Sequence, residues 1–150
     1  MALKAELSSR IAALVDGGVT GFLSGMALAT DTWAAMAVLE LREKNPALKL
    51  HCILPCKGQE VKWSDSAREQ YHWILEEADS RVYVNRKYHE NCMMERNHFL
   101  VDYSDILLAV CADPNERRSG TAATIRYARK SGKEIILLNP LTLCVTHEGP

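Results

Sequence analysis

The sequence predicts an α/β fold of Rossmann-like type, a three-layer sandwich around a mostly parallel sheet of about five strands. Two observations carry this prediction. Segments with apolar residues at helical spacing alternate five times with short, dense apolar runs, which is the pattern of right-handed βαβ units. One of those runs, residues 105–110, is almost continuously apolar, as expected of a strand that is covered on both faces.

The predicted elements have recognisable starts and stops. Gly17-Gly18 ends the first helix, Asn45-Pro46 ends the second, and Ser64 caps the third. The predicted helices cover residues 3–15, 32–44, 64–78, 90–103 and 120–130, and the predicted strands cover residues 19–24, 48–54, 81–84, 105–110 and 134–138.

Length and composition indicate one globular domain spanning residues 1–150. The net charge of −1 gives no electrostatic case for nucleic acid or an anionic membrane, so neither is expected as a partner. No apolar stretch approaches the roughly 18 residues of a membrane-spanning helix, and charged residues interrupt the N-terminal segment where a signal peptide is apolar. Five cysteines form an odd set without disulfide-like spacing. The expected location is the cytoplasm.

In a parallel sheet, ligands bind beyond the carboxyl ends of the strands, so the loops that follow the predicted strands are the candidate binding segments. The first of them starts with Ser24 and Gly25 and leads to Asp31 and Trp33. Small residues allow a ligand to approach the backbone, and the N–H groups of the next helix suit an anion. Asp31 either caps that helix or binds a ribose hydroxyl, and Trp33 could stack on a base.

Gln59 and Trp63 follow the second predicted strand and offer an amide and an aromatic plane at the same sheet edge. A turn after Pro55 without any ligand role is an equally good interpretation. His51 and Cys52 fall on opposite faces of their strand, so no metal site is predicted there. Cys52 is expected to be a small buried hydrophobic residue.

Arg96 and Asn97 lie on a helix that approaches this edge. Arg96 either forks onto a phosphate or forms a surface ion pair with Glu95 or Asp102.

The turn Ser119-Gly120-Thr121 follows a buried strand and starts a helix, which makes it the strongest anion cradle in the chain. Arg117-Arg118, just before it, either adds positive charge or is simply solvated.

Together these residues resemble the YpsA/YoqJ-like branch of the SLOG superfamily, which is related to DprA and to the LOG-type cytokinin-activating enzymes. The resemblance runs through residues 22–35, Leu54-Pro55-Cys56, Gln59 with Trp63, residues 94–97 and Gly120-Thr121. It implies a Rossmann-like fold with a cleft for a nucleotide-like ligand. The binding positions that it implies are Gly25, Asp31, Trp33, Gln59, Trp63, Arg96, Asn97, Gly120 and Thr121.

The chain departs from the family pattern at three points. Ala29 stands where the family usually has glycine, and Thr124 stands where LOG-type hydrolases carry a glutamate, so the main catalyst of N-glycosidic hydrolysis is missing. Relatives begin with a strand ahead of the first helix. The chain is therefore expected to be a fragment, a member that closes the gap differently, or half of an assembly of identical subunits.

The sequence thus predicts a module that binds or senses a nucleotide-derived small molecule, such as a nucleotide, NAD or ADP-ribose, with no catalytic residue assigned. Two alternatives stay open. One is a LOG-type nucleotide N-glycosidase or phosphoribohydrolase that uses Arg96 with Asp31. The other is an interaction protein whose cleft is vestigial.

Overall fold

The protein has an α/β fold with five helices and six strands in the described part of the chain, residues 2–150 of a computed structural model. The chain divides into two compact units. We call residues 1–92 the first unit and residues 93–150 the second unit.

The first unit contains a parallel three-stranded sheet with the order β1-β2-β3. Its central strand pairs with both neighbours, so that Ser24 lies opposite Cys52 and Leu54 lies opposite Tyr83. The elements of this unit are α1 (Ala2–Asp16), β1 (Gly21–Ser24), α2 (Thr30–Lys44), β2 (Lys49–Leu54), α3 (Asp65–Glu77) and β3 (Ser80–Tyr83).

The core of the first unit forms around β2 because that strand has a neighbour on each edge. Leu50, Cys52 and Leu54 are each at most 1% exposed. Helix α1 contributes Leu7 and Ile11, which lie one turn apart and are both buried. Burial of such apolar side chains supplies most of the free energy that favours folding.

Asp79, just before β3, ties this strand to its neighbours through hydrogen bonds. Its carboxylate accepts the N–H of Leu50 at 2.8 Å and a guanidinium N–H of Arg42 at 2.9 Å. Partial burial alone would raise the pKa of Asp79, but these hydrogen bonds outweigh it and lower the pKa.

The second unit contains a mixed three-stranded sheet with the order β4-β5-β6, in which β4 and β5 are parallel and β6 is antiparallel. A cluster of buried apolar residues forms its core. The elements are α4 (Cys92–Asp102), β4 (Ile106–Val110), α5 (Gly120–Lys130), β5 (Glu134–Leu138) and β6 (Val145–Glu148), and the core residues are Val101, Ala109, Ile125, Ala128, Ile135 and Leu137.

Strand β6 pairs with β5, and two further features restrict the chain at its end. Arg129 of α5 pairs with Glu148, with one N–H···O distance of 3.0 Å, and this hydrogen bond lowers the pKa of Glu148. Gly149 follows with a φ of 82°, where an added Cβ would come within 2.5 Å of the carbonyl oxygen of Lys133. Only glycine fits there.

All five predicted helices and all five predicted strands are confirmed, and no end differs from the predicted one by more than two residues. The prediction of one sheet of about five strands is wrong, because no sheet within residues 2–150 has more than three strands. The sixth strand, β6, was not predicted. Its sequence, Val-Thr-His-Glu, contains one apolar residue, and therefore lacks the apolar run that marks the other strands of this sheet.

None of the helices in residues 2–150 is both long enough and apolar enough to cross a membrane.

Candidate functional site

The β1–α2 loop, residues 25–29, has a strained backbone. Met26 has a φ of 58° and Ala29 a φ of 69°, values that residues other than glycine rarely adopt. Ala29 occupies the N-cap position of α2 with a ψ of −103° and offers no side-chain cap. Strain of this kind costs about 1–3 kcal/mol for each residue and is concentrated at functional sites.

Side chains at both ends of this loop bind its backbone. The Ser24 hydroxyl accepts the N–H of Met26 and donates to the carbonyl of Asp31, each at 3.2 Å. The Asp31 carboxylate accepts the N–H of Ala27 at 3.1 Å. The interpretation of Asp31 as the helix cap is wrong, because Ala29 holds that position and the Asp31 carboxylate turns back to the loop.

Trp33, the fourth residue of α2, is half-buried, and its N–H donates to the carbonyl of Ala29 at 2.8 Å.

Gln59, in the β2–α3 loop (residues 55–64), is anchored on two sides. Its amide nitrogen donates to the carbonyl of Gly25 at 3.2 Å and to the hydroxyl of Tyr71 at 3.2 Å. The ring of Trp63 meets the ring of Tyr71 edge-on, with centroids 5.2 Å apart. The first unit therefore brings Gly25, Gln59 and Trp63 together.

Helix α3 contributes two residues, Tyr71 and His72, whose contacts the sequence did not reveal. Besides Tyr71, His72 places its Nε2 at 3.1 Å from a carboxylate oxygen of Glu60. Glu60 is 9% exposed, and its other oxygen, Oε1, is buried without a hydrogen-bond partner among residues 2–150. Tyr71 and His72 thus hold the consecutive residues Gln59 and Glu60, which lie 12 positions earlier in the chain.

His51 and Cys52, both on β2, are engaged within the fold. Cys52 is fully buried, and burial raises its pKa to about 12, so the prediction of a small hydrophobic residue is confirmed. His51 places its Nδ1 at 2.6 Å from the hydroxyl of Ser80. Across residues 2–150, no three His, Cys, Asp or Glu side chains are grouped to hold a metal ion.

In the second unit, Arg96 lies one turn into α4 and is 4% exposed. Its Nε donates to the side-chain oxygen of Asn97 at 2.9 Å, and one terminal nitrogen lies 3.6 Å from the sulfur of Met93. The interpretation of Arg96 as part of an ion pair on the surface is therefore wrong about its location, because the side chain is buried. Asp102, one of its suggested partners, accepts a hydrogen bond from the hydroxyl of Tyr127 at 2.7 Å.

The turn that starts α5 has the predicted form. Ser119 is the N-cap residue, and its hydroxyl oxygen accepts the N–H of Ala122 at 3.1 Å. Gly120 and Thr121 are exposed. A Cβ built on Gly120 has nothing within 4 Å outside its immediate backbone, so the fold does not need glycine here.

Thr124, at the position where a LOG-type hydrolase would carry glutamate, is 9% exposed. Its hydroxyl donates to the carbonyl of Gly120 at 2.9 Å. The side chain thus satisfies the backbone of the turn and has no proton-accepting carboxylate to offer.

The segment before the turn, residues 111–118, is held by Arg126, which the sequence analysis missed. One guanidinium nitrogen of Arg126 donates to the carbonyl oxygens of Pro114 and Glu116 at 2.9 and 3.3 Å. Arg117 and Arg118 are exposed, as the solvated interpretation expects.

Comparison with known proteins gives the class and then the family. The chain is an α/β protein, and residues 1–143 match the YpsA family model, described as the YspA SLOG family. The chain belongs to this family, which confirms the resemblance drawn from its residues.

Its relatives include proteins from several Bacillus species. It is 36% identical over 110 residues to the UPF0398 protein of Bacillus pumilus, covering 72% of this chain and 59% of the relative. It is 32% identical over 119 residues to the UPF0398 protein YpsA of Bacillus subtilis, covering 78% and 66%. The chain therefore spans about three fifths to two thirds of the length of these relatives.

Proposed function

We propose that this protein binds a nucleotide or a nucleotide-derived ligand and holds its phosphate at the turn Ser119-Gly120-Thr121. The observation that carries the proposal is the exposure of Gly120 and Thr121 at the N-terminus of a regular 11-residue helix. An anion there meets backbone N–H groups that have no partner within the helix, together with the positive end of the helix dipole.

The residue types at the turn suit phosphate recognition. Ser119 caps the helix through its oxygen, and Thr121 offers an exposed hydroxyl. Gly120 has no side chain to block a close approach to the backbone. Phosphate binding by a turn of this kind needs no cationic side chain, which agrees with the overall charge of −1.

The parallel pairing of strands within each unit and the family membership support the Rossmann-like fold expected from the sequence.

We propose binding without turnover because neither candidate for a catalytic carboxylate is suited to the task. Thr124 lacks the group, and the carboxylate of Asp31 already accepts a backbone N–H of the β1–α2 loop. Hydrolysis of an N-glycosidic bond requires stabilisation of an oxocarbenium-like sugar and a group that activates water.

The test is calorimetric titration of the protein with AMP, NAD, ADP-ribose and inorganic pyrophosphate. Gly120→Asp places a negative charge in the turn, where it also suits the helix dipole, so the helix should persist while affinity falls by about tenfold or more. Ala123→Asp is the matched control, because Ala123 is exposed on the same helix beyond the turn.

The proposal fails if none of these ligands binds with a dissociation constant below about 1 mM, or if Gly120→Asp binds like the unmodified protein. Chromatography of AMP after incubation with concentrated protein should show no free adenine. Release of adenine would make the protein an N-glycosidase instead.

A further inference from the structure

Two of the five free cysteines, Cys56 and Cys92, form a pair within the first unit. Cys56 lies in the β2–α3 loop, and Cys92 is the first residue of α4. A hydrogen bond joins their two thiols. Cys92 is fully buried and Cys56 is 4% exposed. The fold therefore brings together two thiols that lie far apart in the sequence.

Main-chain hydrogen bonds hold both members of this pair in place. The N–H of Asn85 donates to the carbonyl of the residue before Cys56 at 3.1 Å. The sulfur of Cys92 accepts the N–H of His89 at 3.0 Å, and its thiol donates to the carbonyl of Lys87 at 3.7 Å. The two sulfurs are therefore positioned by specific contacts and not by apolar packing alone.

The Cys56 thiol is the member of the pair that keeps its proton. Burial raises its pKa, and the charge of Cys92 and the hydrogen bond to Cys92 raise it further. Cys56 therefore donates the hydrogen bond between the thiols, and the Cys92 sulfur accepts it. Because the thiolate is the nucleophile in cysteine chemistry, we assign the first attack to Cys92.

The segment that lies against the Cys92 sulfur is exposed. Lys87 and His89, whose backbone groups contact this sulfur, are both exposed, and residues 84–91 belong to no helix or strand. Exposed segments of this kind open locally at a small cost in free energy. A small oxidant therefore reaches the buried pair without unfolding of the unit.

We propose that Cys56 and Cys92 are a modification site for peroxides, which oxidise the two thiols to an intramolecular disulfide. With hydrogen peroxide, the thiolate of Cys92 attacks one peroxide oxygen, the O–O bond breaks, and a sulfenic acid and one water molecule form. The sulfur of Cys56 then attacks the sulfenic sulfur, so that the S–S bond forms and the S–O bond breaks. The oxygen leaves with the Cys56 proton as a second water molecule. This chemistry needs no nucleotide and is independent of the function proposed above.

The test treats the reduced, folded protein with hydrogen peroxide and then blocks the remaining thiols with N-ethylmaleimide in denaturant. Mass spectrometry should show a monomer that has lost two hydrogen atoms, and peptide mapping should join the peptides of Cys56 and Cys92. Dithiothreitol should restore both thiols. Cys52 is an internal control, because it is buried in the same unit with its pKa raised to about 12, and it should stay a free thiol.

Serine variants separate the roles of the two cysteines. In Cys56→Ser the bridge is lost and oxidation should stop at the sulfenic acid of Cys92, which dimedone labels. In Cys92→Ser the bridge is lost and Cys56 should not be labelled. Cys144→Ser, the same change at an exposed cysteine, is the matched control and should form the bridge like the unmodified protein.

The unmodified protein alone can contradict the proposal, even if a serine variant does not fold. A bridge between other cysteines, no reaction, or oxidation of Cys92 to sulfinic acid without a bridge overturns it. The same mixture of bridges in the folded protein as in urea overturns it too, because the choice of partners would then not depend on the fold.

Discussion

The β1–α2 loop and the turn before α5 have the same place in a βα unit but are built in opposite ways. Ser119 caps α5 with its hydroxyl at ordinary backbone angles. Ala29 caps α2 with no side-chain bond and with φ in the left-handed region. A cap of the first kind depends on one residue type at one position, whereas the second kind persists only because the surrounding structure imposes it.

The contacts around each segment fit this difference. Met26 is fully buried, and the loop around it receives hydrogen bonds involving Ser24, Asp31 and Gln59. The turn before α5 is exposed at Gly120 and Thr121 and relies on local bonds. One segment is therefore held by tertiary packing and the other by its own sequence, which leaves the second open for a ligand.

The largest expected effect comes from removing the buried anchor of the strained loop. Met26→Ala should lower the free energy of unfolding by about 2–4 kcal/mol, because it removes a fully buried side chain and leaves a cavity. Leu28→Ala, in the same loop but 55% exposed, should cost less than about 0.5 kcal/mol. Urea denaturation followed by tryptophan fluorescence measures both, since all three tryptophans lie in the first unit. Similar losses in the two variants would contradict anchoring by Met26.

The same contrast explains what could be predicted from sequence. The helices, the five apolar strands and the Ser119 cap follow from local patterns of residue type and spacing. The contacts between Gln59 and Tyr71 and between Glu60 and His72 join residues 12 positions apart, and no local pattern specifies them. The positive φ of Ala29 was hidden as well, because alanine rarely adopts that conformation.

A smaller effect on stability is expected at the start of α5. Ser119→Ala should destabilise the protein by about 1 kcal/mol, because the N–H of Ala122 loses its acceptor. Ser119→Asp keeps an acceptor and should restore most of that loss. The second unit has no tryptophan, so hydrogen exchange of the α5 amides is the suitable measurement. Unchanged exchange in Ser119→Ala would mean that the cap is not needed.

At Ala29, the strained N-cap residue of α2, a substitution is expected to stabilise the protein instead. Ala29→Gly relieves a left-handed conformation and should raise the free energy of unfolding by about 0.5–1 kcal/mol, after the entropy cost of glycine. Ala27→Gly, in the same loop but without a positive φ, should lower it by about 0.5–1 kcal/mol. Denaturation followed by tryptophan fluorescence again reports on this unit. Destabilisation by both changes would show that the backbone at Ala29 is relaxed.

The smallest effect concerns one carboxylate in each unit. The pKa values of Asp79 and Glu148 lie below their ordinary values of 3.8 and 4.5, because Leu50 and Arg42 hydrogen-bond the first and Arg129 the second. A carboxyl group with a lowered pKa stabilises the fold above its unfolded-state pKa, and that contribution disappears as the pH falls through the folded-state value.

Asp79→Asn and Glu148→Gln should therefore each flatten the loss of stability between about pH 5 and about pH 3, by less than about 1 kcal/mol, because both side chains are partly exposed. Urea denaturation across this range measures the slope. Tryptophan fluorescence should register the Asp79 change, and hydrogen exchange along β5 and β6 should register the Glu148 change. A slope identical to that of the unmodified protein would show that the substituted carboxylate does not contribute to the loss of stability in acid. Its hydrogen bonds would then not stabilise the fold measurably.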